Sequence, residues 1–348
     1  MLMIPQGCAL LALGLATLLV PALSVADPVP LFTEDQVLGG VDVAATTLNA
    51  GRDAYGKYCA SCHGENGDGR GRSSKGLRVP PRDFRIATYK FAGALSDDLP
   101  RDEDLGRILD HGLSGTAMLR WDVPPKEMNA VLQYIKTFSP DGEGWRDPYM
   151  EAGEDIIDVE DPYSGAEKAQ GVDRGRILYH GLARCYQCHP SYKTRAEINR
   201  DLEANGQAPV TGFRPNLWLS VPTKTNVYSV PVPGNPDCRD NAVCSDEHVC
   251  RFGVCEAPGW LMPPDFTINQ VRSGNTPESL FRIIAAGIPG TAMPQWKYSF
   301  PDEDIWALAH YVSSLIEKRN TPEMFSLKEK LRGDQEPLDQ STPASTVD

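Results

Sequence analysis

The chain has 348 residues, which at roughly 100–200 residues per domain leaves room for two domains rather than one small one. Its 41% hydrophobic and 23% charged residues are ordinary for a soluble globular protein. A net charge of −13 argues against nucleic acid, whose phosphates need a basic surface, and suits a basic or dipolar partner as well as it suits a merely solvated acidic surface.

In chain order, residues 1–26 carry no charged side chain. An apolar run over 9–20 is followed by Pro21 and then by Ser24, Val25 and Ala26 ahead of Asp27, the small-residue pattern of a signal-peptidase site. No Lys or Arg precedes the run, and the stretch is nearly long enough for an uncleaved anchor helix. Signal peptide or N-terminal anchor, both readings export Asp27 onward and place the protein in the periplasm. Cys8 sits too early for a lipoprotein cysteine. Residues 27–48 form an extension.

A first domain is expected over 49–138. It contains a helix leading to Cys59-Ala60-Ser61-Cys62-His63, a loop over 64–79, the segment Pro80-Pro81-Arg82-Asp83-Phe84, and a short helix around Leu105-Gly106-Arg107-Ile108-Leu109. A Gly115-Thr116-Ala117-Met118 loop with Trp121 follows, then a closing helix in which Met128, Val131, Leu132 and Ile135 recur at helical spacing. Residues 139–170, rich in Asp, Glu, Gly and Pro and without periodicity, read as a solvated linker, either free or laid across a domain surface.

A second domain, 171–318, repeats the pattern with Cys185-Tyr186-Gln187-Cys188-His189, Pro263-Pro264-Asp265-Phe266, Leu280-Phe281-Arg282-Ile283-Ile284 and Gly290-Thr291-Ala292-Met293 with Trp296. Its closing helix carries Ile305, Leu308, Ala309, Val312 and Leu315, and Tyr134 and Tyr311 match within the two closing helices. Thr276-Pro277-Glu278 suits the start of its short helix, with Thr as N-cap and Pro at the first helical position. The loop after the second motif runs over 190–262 and holds an insertion at about 236–257. Residues 319–348 turn from charged to Ser/Thr/Pro-rich, which predicts a fraying helix and a disordered tail.

The nine cysteines divide by spacing. Cys8 belongs to the export segment. Cys59, Cys62, Cys185 and Cys188 form two C-x-x-C-H motifs, the pattern of covalent haem attachment. Two thiols three apart on one turn reach the two vinyl groups of one porphyrin, and the adjacent histidine, His63 or His189, then lies under the iron. A redox C-x-x-C would need a surrounding βαβ pattern, and none is visible. Cys238, Cys244, Cys250 and Cys255, spaced C-x5-C-x5-C-x4-C, imply two disulfides in a small loop-rich lobe of an exported chain, with three connectivities open. Zinc is the alternative, but the paired C-x2-C spacing it favours is missing.

The internal repeat names the sixth iron ligands. Met118 and Met293 fall at equal positions after Gly-Thr-Ala, and a thioether is a soft, neutral ligand that favours the ferrous state. A lone methionine is more often a packing residue; here two occupy the same place. His111 competes in the first half, but its counterpart is Ala286.

On these motifs both halves resemble class I cytochrome c domains, and the chain is similar to dihaem c-type cytochromes over 49–138 and 171–318. The resemblance implies a mostly α fold with two tandem helical haem domains, the second bearing the disulfide-rich insertion. It implies two haem c groups, and a proline carbonyl that holds the other nitrogen of each axial histidine: Pro80 or Pro81 in the first half, Pro263 or Pro264 in the second. The first motif continues Gly64-Glu65-Asn66-Gly67 as that family does, whereas the second continues Pro190-Ser191-Tyr192.

No acid, base or nucleophile stands out, so the residues point to an electron carrier rather than an enzyme. Its partners would be redox proteins, donor and acceptor, either freely or within a membrane respiratory complex. The alternative is a haem enzyme, a dihaem peroxidase or sulfur-compound dehydrogenase, in which one iron has an open or displaceable ligand. In a third reading the four-cysteine lobe recruits a partner.

Overall fold

The structure is a computed structural model that describes residues 30–333 except 96–97, 158, 232–237, 239–243 and 245–247. The export segment 1–26 and the last part of the expected tail, 334–348, lie outside the described residues.

The first half opens with a hairpin, β1 (Gln36–Leu38) and β2 (Val41–Val43), paired antiparallel, so the N-terminal extension is ordered from there on. Helix α1 (Ala45–Tyr58) buries Leu48, Gly51, Ala54 and Tyr55, the single stripe that helical periodicity allows. A short turn, α2 (Ala60–His63), follows. Helix α3 (Asp102–His111) begins with three acidic residues in its first turn, where the helix dipole favours negative charge. Helix α4 (Pro125–Lys136) starts with proline at its first position and buries Ala130 to Lys136. Helices α1 and α4 cross at Gly51, where an added methyl group would overlap the Ala130 carbonyl; only glycine lets the two backbones approach this closely.

The second half repeats the arrangement. Helix α5 (Lys168–His180) crosses α8 (Asp302–Glu317) at Gly175, which faces the Ala307 carbonyl and Tyr311 as Gly51 faces Ala130 and Tyr134. Between them lie α6 (Arg195–Ala204), capped by Thr194 and Glu197, and α7 (Pro277–Ala286), whose N-cap Thr276 accepts from the Ser279 N–H. Each half has its own buried apolar cluster. Tyr55, Leu105, Val131, Leu132 and Ile135 sit in one; Tyr179, Phe281, Ile305, Trp306 and Leu308 sit in the other.

The insertion is a three-stranded antiparallel sheet in the order β3 (Thr223–Pro231), β5 (Val254–Leu261), β4 (Val249–Arg251). Cys238 is bonded to Cys250 and Cys244 to Cys255. Cys250 and Cys255 are cross-strand partners, so the two disulfides leave one rung of the sheet for two upstream points. The lobe does not lie over the second motif alone. Buried Glu256 pairs with Arg70 at 2.6 Å, and the Arg85 guanidinium sits 3.8 Å over the Phe252 ring. On its other side the Thr225 hydroxyl donates to the Gly290 carbonyl. The lobe therefore braces both halves.

Two sequence expectations need correction. Residues 139–170 are not a solvated linker: Trp145, Ile156 and Tyr163 are buried, because apolar side chains spaced along a polar strap still seek the two cores. Asp155 in that strap takes Arg101 of the first half at 3.1 Å and Arg282 of the second at 3.0 Å. Burial pushes its pKa up, but the Ile157 N–H and the two guanidiniums outweigh this and hold it below the usual range. Nor is the tail beyond 318 disordered as a whole. Pro322–Gly333 forms α9, which buries Met324 and Leu331 and is pinned by Lys328 to Asp265 and by Lys330 to Glu197 at 2.7 Å.

Candidate functional site

In the first half the Cys62 and His63 N–H groups both donate to the Cys59 carbonyl, at 3.1 and 2.9 Å, so the two cysteines and the histidine share one turn. Cys59, Cys62, His63 and Met118 all line a cleft of about 1370 Å³, open mouth included, whose remaining walls are mainly apolar side chains such as Leu105, Leu132 and Ile135. His111 is exposed and bonds back to the Arg107 carbonyl, outside this lining.

The His63 Nδ1 lies 3.1 Å from the Arg82 carbonyl. A carbonyl only accepts, so Nδ1 carries the proton and Nε2 keeps its lone pair for a metal. Phe84 stacks on the imidazole at 4.5 Å. Burial lowers the His63 pKa to about 4, against the upward pull of the Arg82 carbonyl, so the ring is neutral at neutral pH, as iron ligation needs. Burial likewise pushes the Cys59 thiol up to about 12.

The acceptor is thus Arg82, and neither Pro80 nor Pro81, which line the cleft instead. Aligning the two Pro-Pro pairs puts the halves out of register by one. The Asp-Phe pair sets the true register: the acceptor is the residue before Asp83 in one half and before Asp265 in the other. A backbone carbonyl does this work, so the side chain need not be proline.

In the second half His189 Nδ1 donates to the Pro264 carbonyl at 2.9 Å, Pro263 taking no part in that bond, and Phe266 stacks on the ring at 4.8 Å. Burial is the main cause that lowers the His189 pKa and that raises the Cys185 thiol to about 12. The His189 N–H donates to the Cys185 carbonyl at 2.9 Å, as in the first motif.

The two methionine loops share their inner hydrogen bonds. Gly112 and Gly287 end α3 and α7 at φ +67° and +73°, and a Cβ on either would crowd the strand returning past the methionine. The Leu113 N–H donates to the Met118 carbonyl at 2.8 Å, and Ile288 to Met293 at 3.1 Å. The Thr116 hydroxyl donates to the Leu113 carbonyl and accepts from the Met118 N–H; Thr291 does the same between Ile288 and Met293.

Sequence reasoning missed Arg214. The carbonyls of the first motif accept from a glycine-rich loop, His63 from the Gly69 N–H and Cys62 from the Gly71 N–H. Pro190 cannot lead such a loop. Instead the Arg214 guanidinium donates to the carbonyls of Tyr186 at 2.6 Å and His189 at 2.9 Å, and to those of Asn216 and Leu217, while the Val221 N–H serves Cys188. A single arginine within a long loop carries no spacing signal. Pro190, breaking the repeat, was the one available hint.

The donor set fits a covalently held haem: a thiol pair, a neutral imidazole whose Nε2 keeps its lone pair, a thioether across an apolar cleft, and, among the described residues, no competing carboxylate in the lining. Among the described residues no helix is long and apolar enough to cross a membrane.

Comparisons with known proteins agree. The family model described as cytochrome C oxidase, cbb3-type, subunit III matches residues 46–135 and 257–312, which include the first motif and both methionine loops but not the second motif. A chain of the reducing HAO-like protein complex of Kuenenia stuttgartiensis is similar at 25% identity and a TM-score of 0.51, over 77% of this chain and 96% of its own. No curated protein matches. Together with the motif chemistry, these likenesses support a c-type cytochrome with covalently bound haem c.

Proposed function

We propose that the chain is an electron-transfer protein built from two tandem cytochrome c domains, each holding one haem c. His63 and Met118 are the axial ligands of the first iron, His189 and Met293 those of the second. The observation that carries this is the repeat of geometry. Each half has a half-buried neutral imidazole held by a carbonyl, and each has a methionine on the same threonine-braced loop.

Bound haem supplies one-electron chemistry; the residues decide its potential and access. The neutral imidazole and thioether add no charge at the iron, and the thioether favours the ferrous form. The carbonyls of Arg82 and Pro264 fix the imidazole tautomer and ring plane. Apolar walls exclude water and lower the reorganisation that accompanies electron transfer. The donor and acceptor are other redox proteins, in the periplasm or in a respiratory complex.

Haem content and ligation test this together. Two haems per chain are expected by pyridine haemochrome assay. Methionine–iron charge-transfer bands should appear at two-haem intensity, with no spectral change when CO is added to the reduced protein. One haem per chain would end the two-haem reading. CO binding at one of two haems would replace the carrier with a haem enzyme.

A further inference from the structure

The two halves treat the aspartate beside the axial-histidine acceptor differently. In the first half Asp83 follows Arg82, and Arg85, two residues on, grips its carboxylate with a fork at 2.9 and 2.7 Å. In the second half the aspartate is Asp265, and the residue two on is Thr267, which brings no charge. The Thr267 N–H and hydroxyl donate to Asp265 Oδ1 at 3.0 and 2.7 Å, as does the Tyr192 hydroxyl at 3.3 Å. The cation comes instead from Lys328 on α9, which bonds the other oxygen, Oδ2. Asp265 is 9% exposed, and a carboxylate so buried is costly without such a partner.

Helix α9 reaches both supports of the second axial histidine. One is the segment that begins at Pro264, whose carbonyl accepts from His189 Nδ1. Besides Lys328, the Asn320 N–H just ahead of α9 holds this segment, donating to the Thr267 carbonyl at 3.0 Å. The other support is Arg214, which bonds the His189 carbonyl and those of Leu217 and Leu219. Trp218, between those two leucines, lies under the Arg332 guanidinium of α9 at 4.4 Å. The helix is fixed in place by its buried Met324 and Leu331.

We propose that α9 is a clasp on the second haem site and that Lys328, acting through Asp265, is a positioning residue for His189. This rests on the two-haem reading, with His189 as an axial ligand. Pro264 and Asp265 are consecutive, so holding the Asp265 carboxylate fixes the peptide whose carbonyl orients the imidazole. The Lys328 charge also offsets that of Asp265, which would otherwise oppose reduction, because reduction adds a negative charge at the iron. The first half obtains both effects from Arg85, within its own segment. The C-terminal helix thereby tunes one haem and not the other.

Spectroelectrochemistry and EPR of the full chain test this. The second haem's wave is the one displaced by Met293→His. Lys328→Gln should lower that haem's reduction equilibrium constant about threefold and shift its ferric g-values, which follow the imidazole plane. Asp265→Asn should raise the constant by a similar factor, and Lys328→Arg should keep the wild-type value. The first wave should hold its place throughout. Arg200→Gln, an exposed charge on α6, controls for net charge. The proposal fails if Lys328→Gln matches that control, or if both waves move equally. Should Lys328→Gln load the second haem poorly, Asp265→Asn and Lys328→Arg decide the matter, and an unmoved second wave in Asp265→Asn overturns the clasp. Haem stoichiometry of the wild type separates this from the reading beneath it: one haem per chain ends both, whereas two haems with an unmoved second wave end only the clasp.

Discussion

The two C-x-x-C-H turns adopt the same hydrogen-bonded shape, yet the chain holds them by different means. In the first, backbone N–H groups of Gly69 and Gly71 bond the carbonyls of His63 and Cys62. In the second, one guanidinium, Arg214, and the distant Val221 N–H do so. Both turns are further tied by a buried tyrosine, Tyr55 to the Gly64 carbonyl at 2.7 Å and Tyr179 to the Pro190 carbonyl at 2.8 Å. The lesson is that the carbonyls must be satisfied, not that a particular loop must satisfy them. A short glycine loop does it locally. Once Pro190 removes an N–H and restricts the backbone, a long loop can supply a side chain with five donors instead.

The largest test of this difference is Arg214→Leu. Several charge-assisted bonds vanish at once and buried carbonyls lose their donors, so a loss of about 4 kcal/mol is expected. Thermal unfolding would measure it, and under the two-haem proposal the methionine band of the second site should weaken while that of the first stays. An equal loss at both haems would mean that the two turns are not held independently.

The helix crossings sharpen the comparison from the opposite side, because there the halves are alike. Gly51→Ala and Gly175→Ala each push a methyl group into a facing carbonyl, Ala130 or Ala307. About 3 kcal/mol is expected from either by overpacking, with similar falls in Tm. A marked inequality would show that one half tolerates a wider crossing.

A smaller effect separates the lobe's two attachments. Glu256→Gln removes a buried carboxylate from half-exposed Arg70. About 1 kcal/mol is expected, since Arg70 can rehydrate. Hydrogen exchange should rise in the loop after the first motif and stay unchanged at the Thr225–Gly290 contact. Faster exchange at both would make the lobe a single rigid clamp.

The smallest effect lies at α9. Burial raises the Glu197 pKa, but Lys330 and Thr194 outweigh it and bring the value to about 2 from an ordinary 4.5. A carboxylate with a depressed folded pKa adds stability that is full above pH 4.5 and is lost as pH falls through about 2. Protection of α9 from hydrogen exchange should fall in that window, and Lys330→Ala should flatten the dependence.

Much of the site was legible in the sequence because its chemistry is local. Cys59, Cys62 and His63 share one turn, as do Cys185, Cys188 and His189, so spacing alone places thiols beside imidazole. The paired Gly-Thr-Ala-Met loops were legible for the same reason, since each threonine bonds only residues within three positions of itself. The helical spacing of apolar residues in α4 and α8 likewise announced core helices, although the structure buries both all round, over Ala130 to Lys136 and Asp304 to Ser313. The sequence also determined that Cys238, Cys244, Cys250 and Cys255 belong together, though not their pairing.

What tertiary structure alone decided is non-local. The acceptor for His63 is Arg82 rather than a proline, because the register of two segments far apart in the chain follows where Phe84 and Phe266 stack. Arg214 acts far in sequence from the carbonyls of Tyr186 and His189 that it serves. The strap over 139–170 and helix α9 look solvated by composition, yet a few buried residues such as Trp145, Ile156 and Leu331 dock them. Composition averages over a segment, whereas burial depends on which side chains meet a core, and a linear chain does not display that meeting.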